Sequence, residues 1–130
     1  MREIMLKEPV ELKLPAQQNM MLVLRLTTAG VIARAGLTVD KMDDVKLAVE
    51  EACSCLIGEG GLKRLKLTFS DDQEYLRIRI CGDGDCSCLN ADSDEMSVVR
   101  CILESLVDGV DIRVKDEKLS GVELRVALGM

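Results

Sequence analysis

Residues Asp43 to Ile57 read DDVKLAVEEACSCLI and carry the strongest helical pattern of the chain. At about 100° per residue, the apolar side chains of this stretch fall on one stripe, which predicts a helix with one face in a core. The stripe consists of Val45, Ala48, Val49, Ala52 and Leu56. Glu51 and Cys55 are four residues apart and stack on its flank, where a groove is expected. They form a candidate site, and ordinary surface charge beside a small core thiol is the structural alternative.

The composition indicates a single soluble domain. The chain has 130 residues, of which 48% are hydrophobic, so we expect one core and one domain over residues 1–130. The net charge of -6 repels phosphate backbones, and one Tyr, one Phe and no Trp leave few rings to stack on bases. No apolar run approaches the roughly 20 residues of a membrane span. We therefore expect a cytoplasmic protein that contacts neither nucleic acid nor membrane.

The chain contains no histidine and six cysteines. Acid–base chemistry would then use carboxylates, and a metal site would use Cys, Asp or Glu. Cysteines without a secretion signal are typical of thiols, with a metal or redox role possible and structural disulfides less favoured.

Hydrophobic periodicity predicts the element order β-α-α-β-β-α-β-β. Strands are expected at 10–14, 65–69, 76–80, 110–114 and 122–128, and helices at 17–35, from 38 or 40 to 57, and from 93 or 94 to 108. A polar loop is expected at 81–94, and the turn between the last two strands is expected at Ser120-Gly121. This order puts all three helices on one face of a mostly antiparallel sheet, which is a two-layer α+β sandwich.

The first helix carries a second apolar line, opposite the one expected in the core. This line consists of Leu22, Leu26, Ala29 and Ala33. One side of the helix can cover the sheet, so the other is expected to face a partner or a second copy of the chain. A helix sandwiched inside the domain is the alternative.

Two segments carry a family likeness. RLTTAGVIARAGLT at 25–38 and DDVKLAVEEACS at 43–54 resemble the anti-sigma-factor serine kinases, which belong to the histidine-kinase-like ATPase superfamily. VELKLPA before the first helix and ILESLVDGV at 102–110 fit the same pattern, so the likeness covers nearly the whole chain and is strongest over 10–56. It implies a histidine-kinase-like ATPase fold with a shortened lid. It also implies protein partners, namely a sigma factor or an anti-anti-sigma protein.

The helix motif of the family keeps one of its two functional residues. Glu51 matches the family's general base, whereas Cys55 stands where the family has an Asn that holds magnesium. A thiol is a soft ligand, poorly suited to a hard cation that prefers oxygen. The resemblance therefore makes Glu51 a remnant general base that is expected to be idle.

The other two nucleotide motifs are altered. Gly82 stands where the family has the Asp that recognises adenine, and Asp83 comes one residue later, before Gly84. A shift of one residue turns a strand side chain to the opposite face unless a bulge corrects it. The glycine-rich lid is replaced by residues 96–99, MSVV, after the acidic residues Asp92, Asp94 and Glu95. Cys55, Gly82, Asp83 and Gly84 are thus degenerate nucleotide-site positions.

The implied fold brings cysteines toward the former nucleotide pocket. Cys55 would face the loop that contains Cys81, Cys86 and Cys88. A zinc or iron–sulfur site, or a redox-responsive dithiol, is one hypothesis for these four residues. Incidental thiols are the alternative, because paired C-x-C elements are a weak metal signature.

The expected function is that of a non-catalytic, anti-sigma-like regulator without a cofactor, which binds its partner as a homodimer. Arg25 and Arg34 of the first helix are the candidate partner-binding residues, with plain surface charge as their alternative. An active ATP- and magnesium-dependent serine kinase is the first rival, with Glu51 as base and Asp83 or Asp85 on adenine. The second rival is a thiol- or metal-based sensor.

Overall fold

The computed structural model describes residues 6–58, 61–84, 90 and 92–128. Within them, the chain forms five strands, three α-helices and a short 3-10 turn, in the order predicted from the sequence. The elements are β1 (Val10–Pro15), the 3-10 turn Gln18–Met20, α1 (Met21–Arg34), α2 (Val39–Ile57), β2 (Leu62–Asp71), β3 (Tyr75–Gly84), α3 (Asp94–Leu106), β4 (Gly109–Lys115) and β5 (Lys118–Ala127).

The strands form one antiparallel sheet in the order β1-β2-β3-β5-β4. Alternate side chains of its three central strands are fully buried, including Leu67, Phe69, Ile78 and Leu124. These side chains pack against the helices, which cover one face of the sheet. The other face carries charged side chains and is called the open face below. The expected two-layer α+β sandwich is confirmed.

Helix α2 lies at the centre of the helical layer. Its predicted apolar stripe is buried in full, together with Cys53 and Ile57. Thr38 begins the helix, because its hydroxyl accepts a hydrogen bond from the Lys41 amide at 3.3 Å. Before that cap, Gly36 turns the chain out of α1 with a φ of +83°, a left-handed conformation that favours glycine.

Several predicted boundaries were wrong, including that of β2, which was expected at 65–69 and spans Leu62–Asp71. The strand expected at 76–80 continues to Gly84, because residues through Gly84 pair with β2 as far as Leu62. The last hairpin turns at Asp116 and Glu117, which have φ values of 52° and 65°. Both residues adopt the left-handed backbone conformation. This is typical of the two-residue turns whose twist matches the twist of the strands in a β-hairpin. Ser120-Gly121, which we expected in that turn, lies inside β5.

The two sides of α1 differ in the way the sequence predicted. Met21, Leu24, Val31, Ile32 and Ala35 are buried. The second apolar line is exposed, with Leu22 and Leu26 at 60% and 67% of their full accessibility. The helix is therefore not sandwiched within the described chain, and it presents an apolar surface.

In the part of the chain that the structure describes, no helix has both the length and the apolar character needed to cross a membrane.

The two sides of α1 should respond differently to truncation. Ile32→Ala removes a fully buried side chain and is expected to lower the free energy of unfolding by about 2–5 kcal/mol. Leu26→Ala removes an exposed side chain and should change it by less than about 0.5 kcal/mol in the monomer. Urea unfolding of both variants at low protein concentration measures the difference. Equal losses would contradict the orientation of α1.

Candidate functional site

A groove of about 440 Å³ runs between α2 and α3 at the predicted Glu51–Cys55 pair. Its lining consists of Glu51, Ser54, Cys55, Glu95, Val98, Val99 and Ile102. Val98 and Ile102 are exposed although they are large and apolar. The α3 side of the groove is therefore apolar, and each wall contributes one carboxylate. Such a surface attracts apolar and cationic groups and repels phosphate.

The thiol in this groove is held in its protonated form. Burial is the main cause that raises the pKa of Cys55 to about 11, and the negative charges of Glu51 and Glu95 raise it in the same direction. On the core side of the helix, burial and then the charge of Glu50 raise the pKa of Cys53 to about 12. Only the thiolate is a good nucleophile or metal ligand, so neither thiol is activated at neutral pH.

Glu50 and Glu51 serve different surfaces of α2. The Glu50 carboxylate accepts a hydrogen bond from the Arg25 guanidinium of α1 and forms an ion pair with it. The Glu51 carboxylate has no hydrogen bond or ion pair within the described ranges, and it lies in the groove toward α3. Glu51 thus lines the groove, but no described residue orients its carboxylate.

On β3, the side chain of Leu62 packs over the position of Gly82. Gly82 lies on the core face of β3, in line with Ile78 and Ile80. A Cβ added to Gly82 would collide with Cδ1 of Leu62 on the neighbouring strand. An Asp at this position, which the family likeness links to adenine recognition, would have to displace Leu62. Gly84 pairs with the same leucine in the sheet register.

Asp83 lies on the open face, where it is exposed and pairs in register with Arg64. The register shift in this hairpin lies between Leu62 and Arg64 on β2, so the alternation of β3 is unchanged. The sheet separates Asp83 from Glu51. This placement does not favour the prediction that Asp83 recognises adenine while Glu51 acts as the base, and Asp85 lies outside the described residues.

Of the four cysteines in the predicted thiol cluster, the two that the structure describes are not brought together. Cys81 lies on the open face of β3, whereas Cys55 lies in the helical layer on the other side of the sheet. A one-residue step along a strand reverses the face, and Cys81 follows the buried Ile80. Cys86 and Cys88 lie outside the described residues. Among the described residues, no three Cys, Asp or Glu side chains are arranged to hold a metal ion.

The N-terminus of α3 has its own capping groups. The Ser93 hydroxyl accepts a hydrogen bond from the Met96 amide at 3.1 Å, and Asp94 and Glu95 occupy the first turn. These acidic side chains offset the partial positive charge of the helix end. A phosphate at this position would meet two carboxylates, so this helix end does not resemble a phosphate cradle.

A second groove, of about 360 Å³, lies between α1 and α2. Leu22, Leu26 and Ala29 line it from α1, and Leu47, which is 51% exposed, lines it from α2. Arg25 also lines this groove, fixed by its ion pair with Glu50. An apolar groove with a positioned arginine is typical of a protein-binding surface. This surface is called the α1 groove below.

The two candidate arginines are not brought together. Arg34 is nine residues after Arg25 on α1, which at about 100° per residue puts it on the opposite side of the helix axis. Arg34 is exposed in the last turn, and no ion pair joins it to a described residue. A single flat partner surface can therefore contact Arg25 or Arg34 but not both.

Sequence reasoning missed several residues that line these grooves. Leu47 was not singled out, although it lies off the buried stripe of α2, which could have indicated exposure. The sequence alone places Glu95, Val98 and Ile102 in the third helix or in the segment that replaces the lid, and does not assign them to a groove. Val98 and Ile102 are four apart, so helical spacing could have shown that they share a face. That these α3 side chains face Glu51 across the groove depends on tertiary packing.

Comparison with known proteins confirms the likeness to anti-sigma-factor serine kinases. Over 80 residues, or 59% of this chain, the sequence is 31% identical to the serine-protein kinase RsbW of Bacillus mycoides (strain KBAB4) and 40% identical to that of Bacillus thuringiensis (strain Al Hakam). It is 32% identical over 80 residues, 58% of this chain, to that of Bacillus subtilis (strain 168). Each match covers 50% of the relative, so the chain spans about half the length of these kinases. No protein-family model matches the sequence.

The fold recurs in a solved structure, that of the RsbU and RsbW domains of a Mycobacterium tuberculosis protein. The two superpose with a TM-score of 0.70 over 92% of this chain and 32% of the other, at 16% sequence identity. This likeness confirms the predicted histidine-kinase-like ATPase fold.

The raised pKa of Cys55 predicts slow alkylation at neutral pH. The rate of reaction with iodoacetamide should rise about tenfold per pH unit until the pH approaches 11, because only the thiolate reacts. The double variant Glu51→Gln, Glu95→Gln removes two negative charges and should lower the pKa, which increases the rate at pH 8. Peptide mass spectrometry measures the rate at this cysteine alone, with buried Cys53 as the unreactive reference. A plateau near the ordinary thiol pKa of about 8.5 would contradict the environment described.

Proposed function

We propose that this chain is a non-catalytic regulator of the anti-sigma type, which binds a protein partner in the cytoplasm and transfers no phosphoryl group. Its homology to kinases named RsbW supports a role in the same kind of regulation. The partner in this proposal is a sigma factor or an anti-anti-sigma protein.

The observation that most supports the lack of catalysis is the chemistry of the groove beside Glu51. Phosphoryl transfer depends on positioning the nucleotide and neutralising its charge with metal and basic groups. The groove offers instead two carboxylates, a protonated thiol and the apolar side chains of Val98 and Ile102. A magnesium ion would have to be held by Glu51 and Glu95 without the oxygen ligand that Asn supplies in the family. Leu62 occupies the space next to Gly82 where an adenine-binding carboxylate would lie.

The α1 groove is the proposed partner surface. Leu22, Leu26 and Leu47 together expose an apolar area that has no cover within the described chain. Arg25 stands among these side chains with its guanidinium held by Glu50, so little side-chain entropy remains to be lost on binding. We propose that a second copy of the chain or the regulatory partner packs here, and that Arg25 contributes more than Arg34 does.

The absence of catalysis is tested by nucleotide binding. We expect no thermal shift and no calorimetric heat with ATP and magnesium, and no phosphorylation of a serine on a co-purified partner. Cys55→Asn supplies the residue that the family has at this position, and we expect it not to create binding, because Leu62 and Glu95 still obstruct the nucleotide. ATP binding by the native chain that is lost in Glu51→Ala would overturn the proposal. Binding gained by Cys55→Asn alone would show that a single residue explains the defect.

The partner surface is tested by charge insertion. Leu26→Asp introduces an unpaired charge into the α1 groove and should weaken self-association or binding to a candidate sigma factor by at least about tenfold. Val114→Asp is the matched control, because Val114 is 53% exposed on β4 and lies outside this groove. Arg25→Ala should weaken the same complex more than Arg34→Ala. Native mass spectrometry and calorimetry measure both effects, and equal losses for Leu26→Asp and Val114→Asp would reject this surface.

A further inference from the structure

The open face of the sheet carries a row of aligned basic side chains. Lys13 of β1 pairs in register with Lys66 of β2, Lys66 with Cys81 of β3, Cys81 with Gly121 of β5, and Gly121 with Arg113 of β4. These five positions cross all five strands, a distance of about 19 Å at about 4.8 Å per strand. We call them the cationic row.

The arrangement of the row is costly in the absence of an anion. Lys13 and Lys66 are directly opposite on antiparallel strands, and like charges in this position destabilise a sheet. Lys66 has one ion pair, with Glu11 at 3.4 Å, in which both side chains are about half exposed. Lys13 and Arg113 have no ion pair with any described residue, and neither has Arg64 on the next row.

The open face is basic although the chain as a whole is acidic. Its basic side chains are Lys13, Arg64, Lys66, Arg77, Arg79, Arg113 and Arg125, and its acidic ones are Glu11, Asp83, Asp111 and Glu123. The whole chain has a net charge of -6. The acidic excess therefore lies elsewhere, on α2 and α3 and in the connecting segments, and an approaching anion is favoured on the open face.

A cavity on this face lies among the basic side chains. It has a volume of about 250 Å³ and is lined by Lys13, Arg64, Leu65, Lys66, Cys81, Gly82 and Asp83. At about 30 Å³ per water molecule, this space could hold about eight waters, which suits a small ligand. Arg64 supplies a planar fork of donors, whereas the two lysines supply compact charges.

The middle of the row is closely packed around Gly121, which is buried. A Cβ at Gly121 would lie 2.9 Å from the Ile80 carbonyl oxygen, so a side chain is excluded there. The same position is 3.5 Å from the Cys81 sulfur and 3.6 Å from Cδ of Arg113. The methylene chain of Arg113 and the thiol of Cys81 thus approach each other above Gly121. Arg113 is therefore the third basic residue near this thiol, after Lys13 and Lys66.

We propose that Lys13 and Lys66 of the cationic row, together with Arg64, bind a small ligand that carries a phosphate-type oxyanion. The large exposed hydrophobic side chains of the described chain lie on the helices, except Val114 on β4. The row therefore lacks the apolar anchors that a protein partner normally needs, and the ligand is a small anion. Asp83 at the edge of the cavity repels a fully ionised group and favours an anion that also bears a hydrogen-bond donor.

Cys81 serves as a reporter for this site, because it lies within the row. We expect anionic iodoacetate to react with Cys81 faster, relative to neutral iodoacetamide, than with Cys101, which is exposed on α3. Inorganic pyrophosphate and glycerol phosphate should each slow both reactions at Cys81 without affecting Cys101. A stronger effect of glycerol phosphate would identify a monoester with a neighbouring donor as the preferred chemistry. Peptide mass spectrometry distinguishes the cysteines in the intact protein.

Matched variants distinguish an effect of the proposed site from an effect of the net charge of the protein. Lys66→Gln should lower the iodoacetate preference and weaken pyrophosphate protection by about threefold to fivefold, the effect of one exposed charge pair. Asp83→Asn should strengthen protection. Lys46→Gln removes the same charge from α2, where Lys46 pairs with Asp43, and should leave both readouts unchanged. Equal effects of Lys46→Gln and Lys66→Gln, or no protection at 20 mM salt, would overturn the proposal, as would protection by an acidic peptide alone.

Discussion

The structure depends on the packing of α2 against the sheet. Small residues, Ala48 and Ala52, alternate with Val45, Val49 and Leu56 on the buried stripe, and each is at most 1% exposed. Small side chains let the helix approach the sheet closely, and this approach positions α1 on one flank and α3 on the other. Both grooves follow from this arrangement, because each is formed where α2 meets a neighbouring helix.

The same helix presents three chemically distinct surfaces. Its core stripe is apolar, its α1 flank carries Glu50 in an ion pair with Arg25, and its α3 flank carries Glu51 and Cys55. The α3 flank is acidic because Glu51 faces Glu95 there, and burial together with these carboxylates stabilises the neutral form of the Cys55 thiol. The core stripe maintains the fold, whereas the side chains on the two flanks determine the chemistry of the grooves.

The two faces of the sheet also have separate roles. The core face is apolar and fixes the register, since a shift of one residue would bring Ile78 and Ile80 into water. That fixed register aligns Lys13 with Lys66 on the open face, where no packing requirement selects the residues. Core packing therefore does not account for the basic groups on the open face, and their mutual repulsion opposes folding, which makes their concentration there informative.

The sequence alone determined the element order, the buried stripe of α2 and the second apolar line of α1, because these features depend on local periodicity. It also has Cys55 and Gly82 at positions where the family likeness leads one to expect an Asn and an Asp. Only the tertiary structure decided that Cys81 and Asp83 lie across the sheet from Cys55, because β3 continues to Gly84 and its pleat turns alternate residues to opposite faces. Strand length and register are set by pairing with β2 and β5, so no pattern within residues 76–84 could reveal them.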